Sequence, residues 1–156
     1  MCCDPLVRFW FRHIPANRVA LLSTDPHEIW QNEMAPCLDD HMGAVFEAVV
    51  RQALQSGTLG LRSHHPPRPY WSRDGQTEID HVVQTDEGRV FVECKWRPNG
   101  RVGVADLGRL RGHIARSGGA SEDDRACLVT AGAFTEELRT VAEADGTLLF
   151  GLDDLF

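Results

Sequence analysis

The sequence predicts a mixed α/β domain in three layers, preceded by a helical N-terminal segment. Two runs rich in Val, Ile and Phe, residues 79–84 and 89–96, flank a short polar connection that ends in glycine, which indicates an antiparallel hairpin. After this hairpin, helical and buried-strand patterns alternate, as in a sheet that continues through crossover connections. The 156 residues are enough for one such domain with its own hydrophobic core.

Residues 1–38 are predicted to be a helical segment that packs on the core formed by residues 39–156. Asp4 can cap a short helix, because an aspartate before a proline is a common helix start. Asp25 begins a second helical pattern in the same way, and Pro36 should interrupt it.

The segment from Leu6 to Phe11 is dense in aromatic and aliphatic side chains. So much apolar surface near the start of a chain suggests that the segment docks onto the core, another domain or a second copy. It therefore predicts a contact with a partner domain or a homo-oligomer.

The elements of the core follow from hydrophobic periodicity and from the residues that start and stop helices. A helix begins at Asp39 or Asp40, carries a regular apolar stripe and ends near Gly57. The remaining segments are predicted, in chain order, as a short strand over 59–62, a proline-rich loop over 64–69, the hairpin, a helix over 104–116 ended by Gly118 and Gly119, a buried strand over 126–130, a helix over 134–144 and a strand over 147–150.

Charge and cysteine content exclude several classes of protein. The net charge of −7 argues against a constitutive, sequence-independent nucleic-acid coat, although it does not exclude a nuclease. The five cysteines form no CxxC pair, which favours a reduced, cytoplasmic protein without structural zinc. No secretory leader and no membrane span is expected from the apolar runs.

Three charged residues stand on the predicted hairpin. Alternation along the second strand puts Glu93 and Lys95 on one face and Cys94 on the other. On the first strand Asp80 interrupts an apolar run, where an unpaired carboxylate would be expensive to bury. The sequence therefore predicts a partner for Asp80.

These residues resemble the PD-(D/E)XK nuclease superfamily, with Asp80 on one strand, Glu93-Cys94-Lys95 on the next and Glu47 on the preceding helix. The order of elements is that of a restriction-endonuclease-like core with a mixed sheet. A wider set of matches, from Asp4 to about Asp145, resembles the uncharacterised domain at the C-terminus of archaeal-type P-loop ATPases, which also occurs in bacteria. That set comprises Asp4-Pro5, Arg8 to Arg12, Met42-Gly43, Val45 to Glu47, Trp71, Glu78 to Asp80 and Glu93 to Trp96.

The resemblance implies a Mg²⁺ or Mn²⁺ site that hydrolyses phosphodiester bonds of DNA or RNA. Asp80, Glu93 and the backbone carbonyl of Cys94 would hold the cation, Glu47 would be a further ligand, and Lys95 would orient the attacking water. The resemblance also implies an ATPase partner, either upstream in the same chain or separate. No GxxxxGK[ST] stretch occurs here, so no ATP site is expected in this chain.

The sequence departs from the superfamily pattern in two places. Ile79 stands where the motif has its proline, and the helix over 104–116 offers only Arg109, Arg111 and His113 where a glutamine or lysine would be expected. Arg73, Arg97 and Arg101, on loops near the hairpin, are predicted to steer a phosphate backbone.

Two alternatives remain open at this level. Glu93 and Lys95 are also consistent with a solvated ion pair without function, and Glu47 with an ordinary helix-surface residue. The whole domain is equally consistent with a non-catalytic regulatory or interaction module of an ATPase, built on a degenerate nuclease fold.

Overall fold

The computed structural model describes residues 4–118 and 121–156. The chain divides into two compact units, Met1–Val45 and Phe46–Phe156. The packing of residues 1–38 on the core stays a prediction. Gly119, one of the two glycines expected to end a helix, lies outside the described residues, as do Cys2 and Cys3. None of the helices in the described residues is long and apolar enough to cross a membrane.

The first unit is helical, as predicted. It contains α1 (Pro5–Ser23) and α2 (Pro26–Ile29), followed by a π-helical turn and a 3₁₀ turn that lead into α3 (Leu38–Ser56). Asp4 caps α1, since its Oδ1 accepts the backbone N–H groups of Leu6 and Val7 at 2.8 and 3.1 Å.

The expectation of a short first helix is wrong, because α1 runs for 19 residues and continues through Pro15. No glycine interrupts the pattern before Thr24, and the side-chain amide of Asn17 donates to the carbonyl of His13 within α1 instead of starting a new helix. Pro36 also does not break the helical path, since it lies inside the 3₁₀ turn Ala35–Cys37 that leads directly into α3.

The second unit begins within α3 and contains all the strands. Its elements are β1 (Arg68–Trp71), β2 (Glu78–Thr85), β3 (Gly88–Lys95), β4 (Arg101–Val102), α4 (Val104–Arg116), β5 (Arg125–Thr130), β6 (Ala133–Phe134), α5 (Glu136–Asp145) and β7 (Leu148–Phe150), with a final 3₁₀ turn over Leu152–Leu155.

The main sheet has the strand order β1-β2-β3-β5-β7. Strands β1, β2 and β3 are antiparallel neighbours, whereas β3, β5 and β7 are parallel. β4 and β6 form a separate parallel pair. The predicted mixed sheet, with antiparallel strands first and parallel strands afterwards, is confirmed.

Both faces of the main sheet are covered by buried apolar side chains. On one face, Phe46, Val50 and Leu54 of α3 pack with Val92 and Cys94 of β3. On the other, the side chains come from β3, β5, α4 and α5, and include Phe91, Leu128, Leu107, Leu110 and Leu138. The alternation predicted for β3 is therefore confirmed, and the domain is a three-layer α/β core with a mixed sheet.

The first strand is not where the sequence pattern indicated. Residues 59–62 form no strand, although Leu59 and Leu61 are buried in the core. The first strand is β1, in the proline-rich stretch that was expected to be a loop. Pro69 is tolerated there because β1 is an edge strand, where the ladder can spare a backbone N–H.

The hairpin is confirmed and has a tight turn. Only Asp86 and Glu87 connect β2 to β3, and the Thr85 hydroxyl donates to the carbonyl of Gly88 at 2.8 Å. Gly88 has a φ of 132°, and a Cβ at this position would lie 2.4 Å from the carbonyl oxygen of Asp123. Glycine is needed here because the turn over 121–124 passes directly against the hairpin.

Candidate active site

A β-bulge in β2 positions Asp80. Arg68 of β1 lies opposite Val82, but Tyr70 lies opposite Ile79, so two steps along β1 match three steps along β2. The extra residue falls in the segment that contains Asp80, and a bulge of this kind re-aims the side chains it carries. The Asp80 carboxylate accepts the backbone N–H of Cys94 at 2.7 Å through Oδ2. The partner that the sequence required for Asp80 is thus the neighbouring strand.

Glu93 and Lys95 form an ion pair on β3. The Lys95 ammonium donates to Oε1 of Glu93 at 2.5 Å, and the two side chains are only 25% and 18% exposed, respectively. A pair with so little solvent contact differs from the freely solvated pair considered above. The hydrogen bond from Lys95 goes to Oε1, one of the two carboxylate oxygens of Glu93.

Burial disfavours negative charge on the two hairpin carboxylates. It raises the pKa of Asp80, while the amide of Cys94 and the charge of Lys95 act in the opposite direction. Burial also raises the pKa of Glu93, where the hydrogen bond from Lys95 opposes the effect and the charge of Asp80 adds to it. Both carboxylates are therefore held in surroundings that favour a nearby cation.

Glu47 belongs to the same electrostatic cluster, although it comes from α3. Its side chain remains accessible to solvent, yet partial burial raises its pKa, and the charges of Asp80, Glu78 and Glu93 raise it further. Lys95 acts in the opposite direction. Glu47 on α3 is thus coupled electrostatically to the carboxylates and the lysine of the hairpin.

The donor set suits a hard divalent cation, because Mg²⁺ and Mn²⁺ prefer carboxylate, carbonyl and water oxygens. Within residues 4–118 and 121–156, no three His, Cys, Asp or Glu side chains converge closely enough to hold a metal ion by themselves. Mg²⁺ commonly uses one or two carboxylates and completes its shell with water and phosphate oxygens. The ligand set of Asp80, Glu93, Glu47 and the Cys94 carbonyl stays a prediction that is compatible with this chemistry.

The thiol of Cys94 is not suited to be a metal ligand. Burial raises its pKa well above the ordinary value for a cysteine, and the neighbouring carboxylates raise it further. The group therefore stays protonated at neutral pH, whereas thiolate is the form that binds metals.

Two histidines near the candidate site were given no role from sequence. His81 is buried beside Asp80, with Nε2 lying 3.1 Å from the main-chain carbonyl oxygen of Glu47. His113 of α4 has Nδ1 2.6 Å from the carbonyl oxygen of Glu78, and its charge is among those that act on Glu93. For His81, the only signal in the sequence was a histidine inside an apolar strand. The contact of His113 could not be predicted from sequence, because it depends on how α4 packs on β2.

The three arginines predicted to steer phosphate have different surroundings. Arg97 is committed to Asp106, to which its two terminal nitrogens donate at 3.1 Å each. Asp106 is only 5% exposed and also accepts the amide of Gly103, so Arg97 fixes the start of α4. Arg73 and Arg101 are exposed at the surface.

Several solved structures are similar to this chain in fold. A repair endonuclease from Pyrococcus abyssi matches with a TM-score of 0.45 and 18% identity over 65% of this chain and 43% of its own. EndoMS in its apo form matches with a TM-score of 0.46 and 17% identity over 67% and 44% of the two chains. The restriction endonuclease MspJI, in complex with a 27-mer oligonucleotide, matches with a TM-score of 0.46 and 19% identity over 70% and 26%. This chain thus spans less than half the length of each of the three.

At the level of sequence, a comparison with curated proteins found no match. A family model does match, over residues 10–105, a range that includes Glu47, Asp80, Glu93 and Lys95. The association with a P-loop ATPase stays a prediction. The chain belongs to the family DUF234, described as archaeal and bacterial proteins of unknown function.

Proposed function

We propose that this domain binds Mg²⁺ or Mn²⁺ beside the β2–β3 hairpin and hydrolyses phosphodiester bonds of DNA or RNA. The observation that carries the proposal is the group of three carboxylates, Glu47, Asp80 and Glu93, whose pKa values are all raised by burial. The charge of Asp80 raises the pKa values of Glu47 and Glu93 further. Such a group holds negative charge at a cost that a bound cation removes.

Each ligand in this proposal has a distinct structural support. Asp80 is pre-oriented by the Cys94 amide, which donates to its Oδ2. Glu93 is oriented by the hydrogen bond from Lys95, and Glu47 on α3 is the proposed additional ligand. The Cys94 carbonyl completes the protein ligands. When bound, the cation would polarise the phosphate and lower the pKa of the attacking water.

Lys95 has two tasks in this proposal. Its ammonium, with one hydrogen bond to Glu93, keeps further N–H donors that can hold the attacking water and a non-bridging phosphate oxygen. These contacts orient the nucleophile and offset the negative charge that develops on the phosphate. The carboxylates around it favour the charged form of the amine, which suits it to binding phosphate more than to accepting a proton.

The nucleic acid would reach this site across the surface next to the start of β2. Trp71 is 61% exposed and lies opposite Glu78, two residues before Asp80. An exposed indole offers a flat apolar face on which a base can stack. Arg73 and Arg101 are the exposed cations proposed to contact the phosphate backbone.

A metal titration followed by thermal unfolding tests the proposal. Mg²⁺ or Mn²⁺ at 100 times its dissociation constant should stabilise the wild type by about 2.7 kcal/mol and leave Asp80→Asn nearly unchanged. Glu122→Gln, on an exposed turn, is the matched control and should respond like the wild type. Cleavage is then assayed on single- and double-stranded DNA and RNA, where Lys95→Ala should be inactive but still stabilised by metal. A wild type that does not respond to either metal would contradict the proposal.

The second candidate is a regulatory or interaction domain of an ATPase. The observation that favours it is the set of apolar side chains on α1 that are more than two thirds exposed, namely Leu6, Phe11, Val19 and Leu22. Such a surface is typical of contacts with a second copy or another domain. Light scattering of the wild type against the double variant Phe11→Ser, Leu22→Ser tests it, and a wild type that is already monomeric excludes the second copy. Metal binding without cleavage would also favour this candidate.

A further inference from the structure

We propose that His81 is a positioning residue for the candidate cation site. Its imidazole fixes the turn of α3 that carries Glu47 against the bulge of β2 that carries Asp80, and thereby sets the spacing between these two carboxylates. The inference rests on the proposed function, which it deepens by assigning a role to a residue outside the predicted ligand set.

The contact itself is a hydrogen bond between two elements distant in sequence. His81 is only 6% exposed, and its Nε2 lies 3.1 Å from the main-chain oxygen of Glu47, 34 residues earlier in the chain. A carbonyl oxygen can only accept, so Nε2 must carry the proton and donate.

The other ring nitrogen explains why packing alone does not account for this residue. Nδ1 of His81 is fully buried and has no hydrogen-bond partner in the described part of the chain. A buried polar atom without a partner lowers stability, and such atoms call for a specific explanation. On this face of β2, where Val83 is part of the core, a leucine would fill space without that penalty. The donor at Nε2 is what a leucine would lack.

The hydrogen bond from His81 is one of two that connect the elements of the candidate site, namely α3, β2 and β3. Asp80 and His81 are adjacent in the bulge, and they contact different neighbours. Asp80 reaches the amide of Cys94 on β3 at 2.7 Å, while His81 reaches the carbonyl of Glu47 on α3. Two hydrogen bonds from adjacent residues therefore tie β2 to both elements that supply the remaining carboxylates. Because the bond from His81 goes to the main chain, it locates the Glu47 backbone and leaves the Glu47 side chain available to a ligand.

Two substitutions separate the donor from the space it fills. In His81→Gln the amide nitrogen is four bonds from Cα, as Nε2 is in histidine, so the donor is kept. In His81→Leu the volume is similar and the donor is lost. The affinity of each variant for Mn²⁺ alone is measured by calorimetry. His81→Gln should bind Mn²⁺ about as tightly as the wild type. His81→Leu should bind it more weakly by about tenfold or more, as is usual when a group that orients a ligand is removed. If His81→Leu does not fold, His81→Asn replaces it, because its amide is one bond too short to reach.

A double-mutant cycle identifies the residue through which His81 acts. In the Glu47→Gln background, His81→Leu should cause no further loss of Mn²⁺ affinity, because the carboxylate that it positions is already absent. An equal loss in both backgrounds overturns the proposal, as does an equal loss for leucine and glutamine. A leucine variant that binds Mn²⁺ like the wild type also overturns it, while the proposed function stands. A wild type without Mn²⁺ affinity removes the cation site and this inference together.

Discussion

At the scale of single residues, Asp80 holds a position normally filled by the backbone. Its carboxylate accepts a hydrogen bond from the amide of Cys94 at the point where the β2–β3 ladder ends. The paired positions of that ladder run from His81 with Val92 to Thr85 with Gly88. The carboxylate therefore closes the ladder and at the same time brings a negative charge into partly buried surroundings. The same side chain therefore both stabilises the fold through its hydrogen bond and destabilises it through its charge.

Asp80→Asn separates these two properties. The folded-state pKa of Asp80 lies above its unfolded value, so the ionised group costs stability at pH values above the unfolded pKa, and this cost is absent well below it. Asparagine keeps an acceptor for the Cys94 amide and carries no charge. In a chelating buffer at neutral pH we expect a gain of about 1 kcal/mol, within the usual range for single substitutions, measured by urea unfolding.

The reverse result has a clear meaning. A variant that is less stable than the wild type in chelator would show that Asp80 contributes more through its hydrogen bond than it costs through its charge. Ser121→Ala, on an exposed turn, is not a suitable control because Ser121 bonds to the neighbouring backbone. Glu122→Gln removes an exposed carboxylate instead and should leave the stability unchanged within about 0.5 kcal/mol.

Three residues of the candidate site could be singled out from the sequence by their chemistry, and their roles stay a prediction. A carboxylate inside an apolar strand and an acid and a lysine two residues apart pointed to Asp80, Glu93 and Lys95. His81 could not be assigned a role, because its partner is a backbone atom on a helix 34 residues away. The bulge was equally hidden, since it depends on the register with β1, a strand that the pattern did not indicate.

At the scale of elements, the ends of β3 and β5 are locked together beside the site. The carbonyl of Lys95 accepts the Thr130 hydroxyl at 3.1 Å and the Ala131 amide at 3.2 Å. Immediately afterwards Gly132 passes against the loop after β3, where a Cβ would lie 2.1 Å from the carbonyl oxygen of Arg97. The backbone of Lys95 is therefore held by the segment that follows β5.

Gly132→Ala should disturb this corner. The added methyl group would push the loop after β3 away, and we expect a loss of about 1–3 kcal/mol, the usual range for overpacking. Gly108→Ala is the matched control, because Gly108 lies within α4 with no atom within 4 Å of the position of a Cβ. That control should be more stable than the wild type by about 0.5–1 kcal/mol. Equal effects of the two substitutions in urea unfolding would exclude the proposed clash.

Long elements with a clear period were predictable, and short ones were not. The bounds of α4 were predicted as observed, because its apolar positions recur at helical spacing and a glycine follows it. β4 and β6 have two residues each, too few to show any alternation. β1 was missed because the proline-rich sequence around it usually marks a loop, and only its place at the edge of the sheet makes Pro69 acceptable.

At the scale of the whole molecule, one buried ion pair joins the hairpin to the turn before β5. The carboxylate of Asp124 accepts from Nε and Nη2 of Arg89 at 3.1 and 2.6 Å, and its side chain is only 4% exposed. The hydrogen bonds from Arg89 lower the pKa of Asp124, and the amide of Ser121 lowers it further against the effect of burial. The pair thus stabilises the second unit at neutral pH, and this contribution is lost in acid.

The pH dependence of Asp124→Asn tests this contribution. A folded pKa below the unfolded value stabilises the fold above the unfolded pKa, and this stabilisation is lost as the pH falls through the folded pKa. At neutral pH the variant should therefore be less stable by about 2 kcal/mol, and the difference from the wild type should shrink in acid. Melting temperatures across the pH range, with Glu122→Gln as control, measure it. A difference that does not change with pH would exclude the ionic origin.

The net charge of the molecule constrains the proposed binding of a nucleic acid. With a net charge of −7, binding should depend on a few local cations. Arg101→Ala should weaken the affinity of the catalytically silent Asp80→Asn protein for an oligonucleotide and reduce the slope of its salt dependence by about one. Arg62→Ala is the matched control, because Arg62 is exposed beside the hairpin turn, at the opposite end of β2 from Asp80. An equal loss of oligonucleotide affinity in Arg101→Ala and Arg62→Ala would mean that Arg101 acts only through its general positive charge and makes no defined contact with a phosphate.

The architecture was the most predictable level of all. The order of strands and helices after the hairpin sufficed for a mixed sheet with helices on both faces, since few arrangements bury those apolar surfaces. Helix α1, by contrast, continues beyond the dense apolar block that suggested a short helix and runs through Pro15 to Ser23.

The short hairpin turn also has a consequence for the order of folding. Asp80 and Cys94 are 14 residues apart in the chain, and only two residues connect their strands, so the entropy lost on closing this loop is small. Hairpins form in about 1–10 μs, whereas the parallel partner of Val90, Arg125, is 35 residues further along the chain. We therefore expect the bond between Asp80 and Cys94 to be present in the folding transition state, before β5 docks. The candidate site would then be nucleated by the same carboxylate that is proposed to bind the cation.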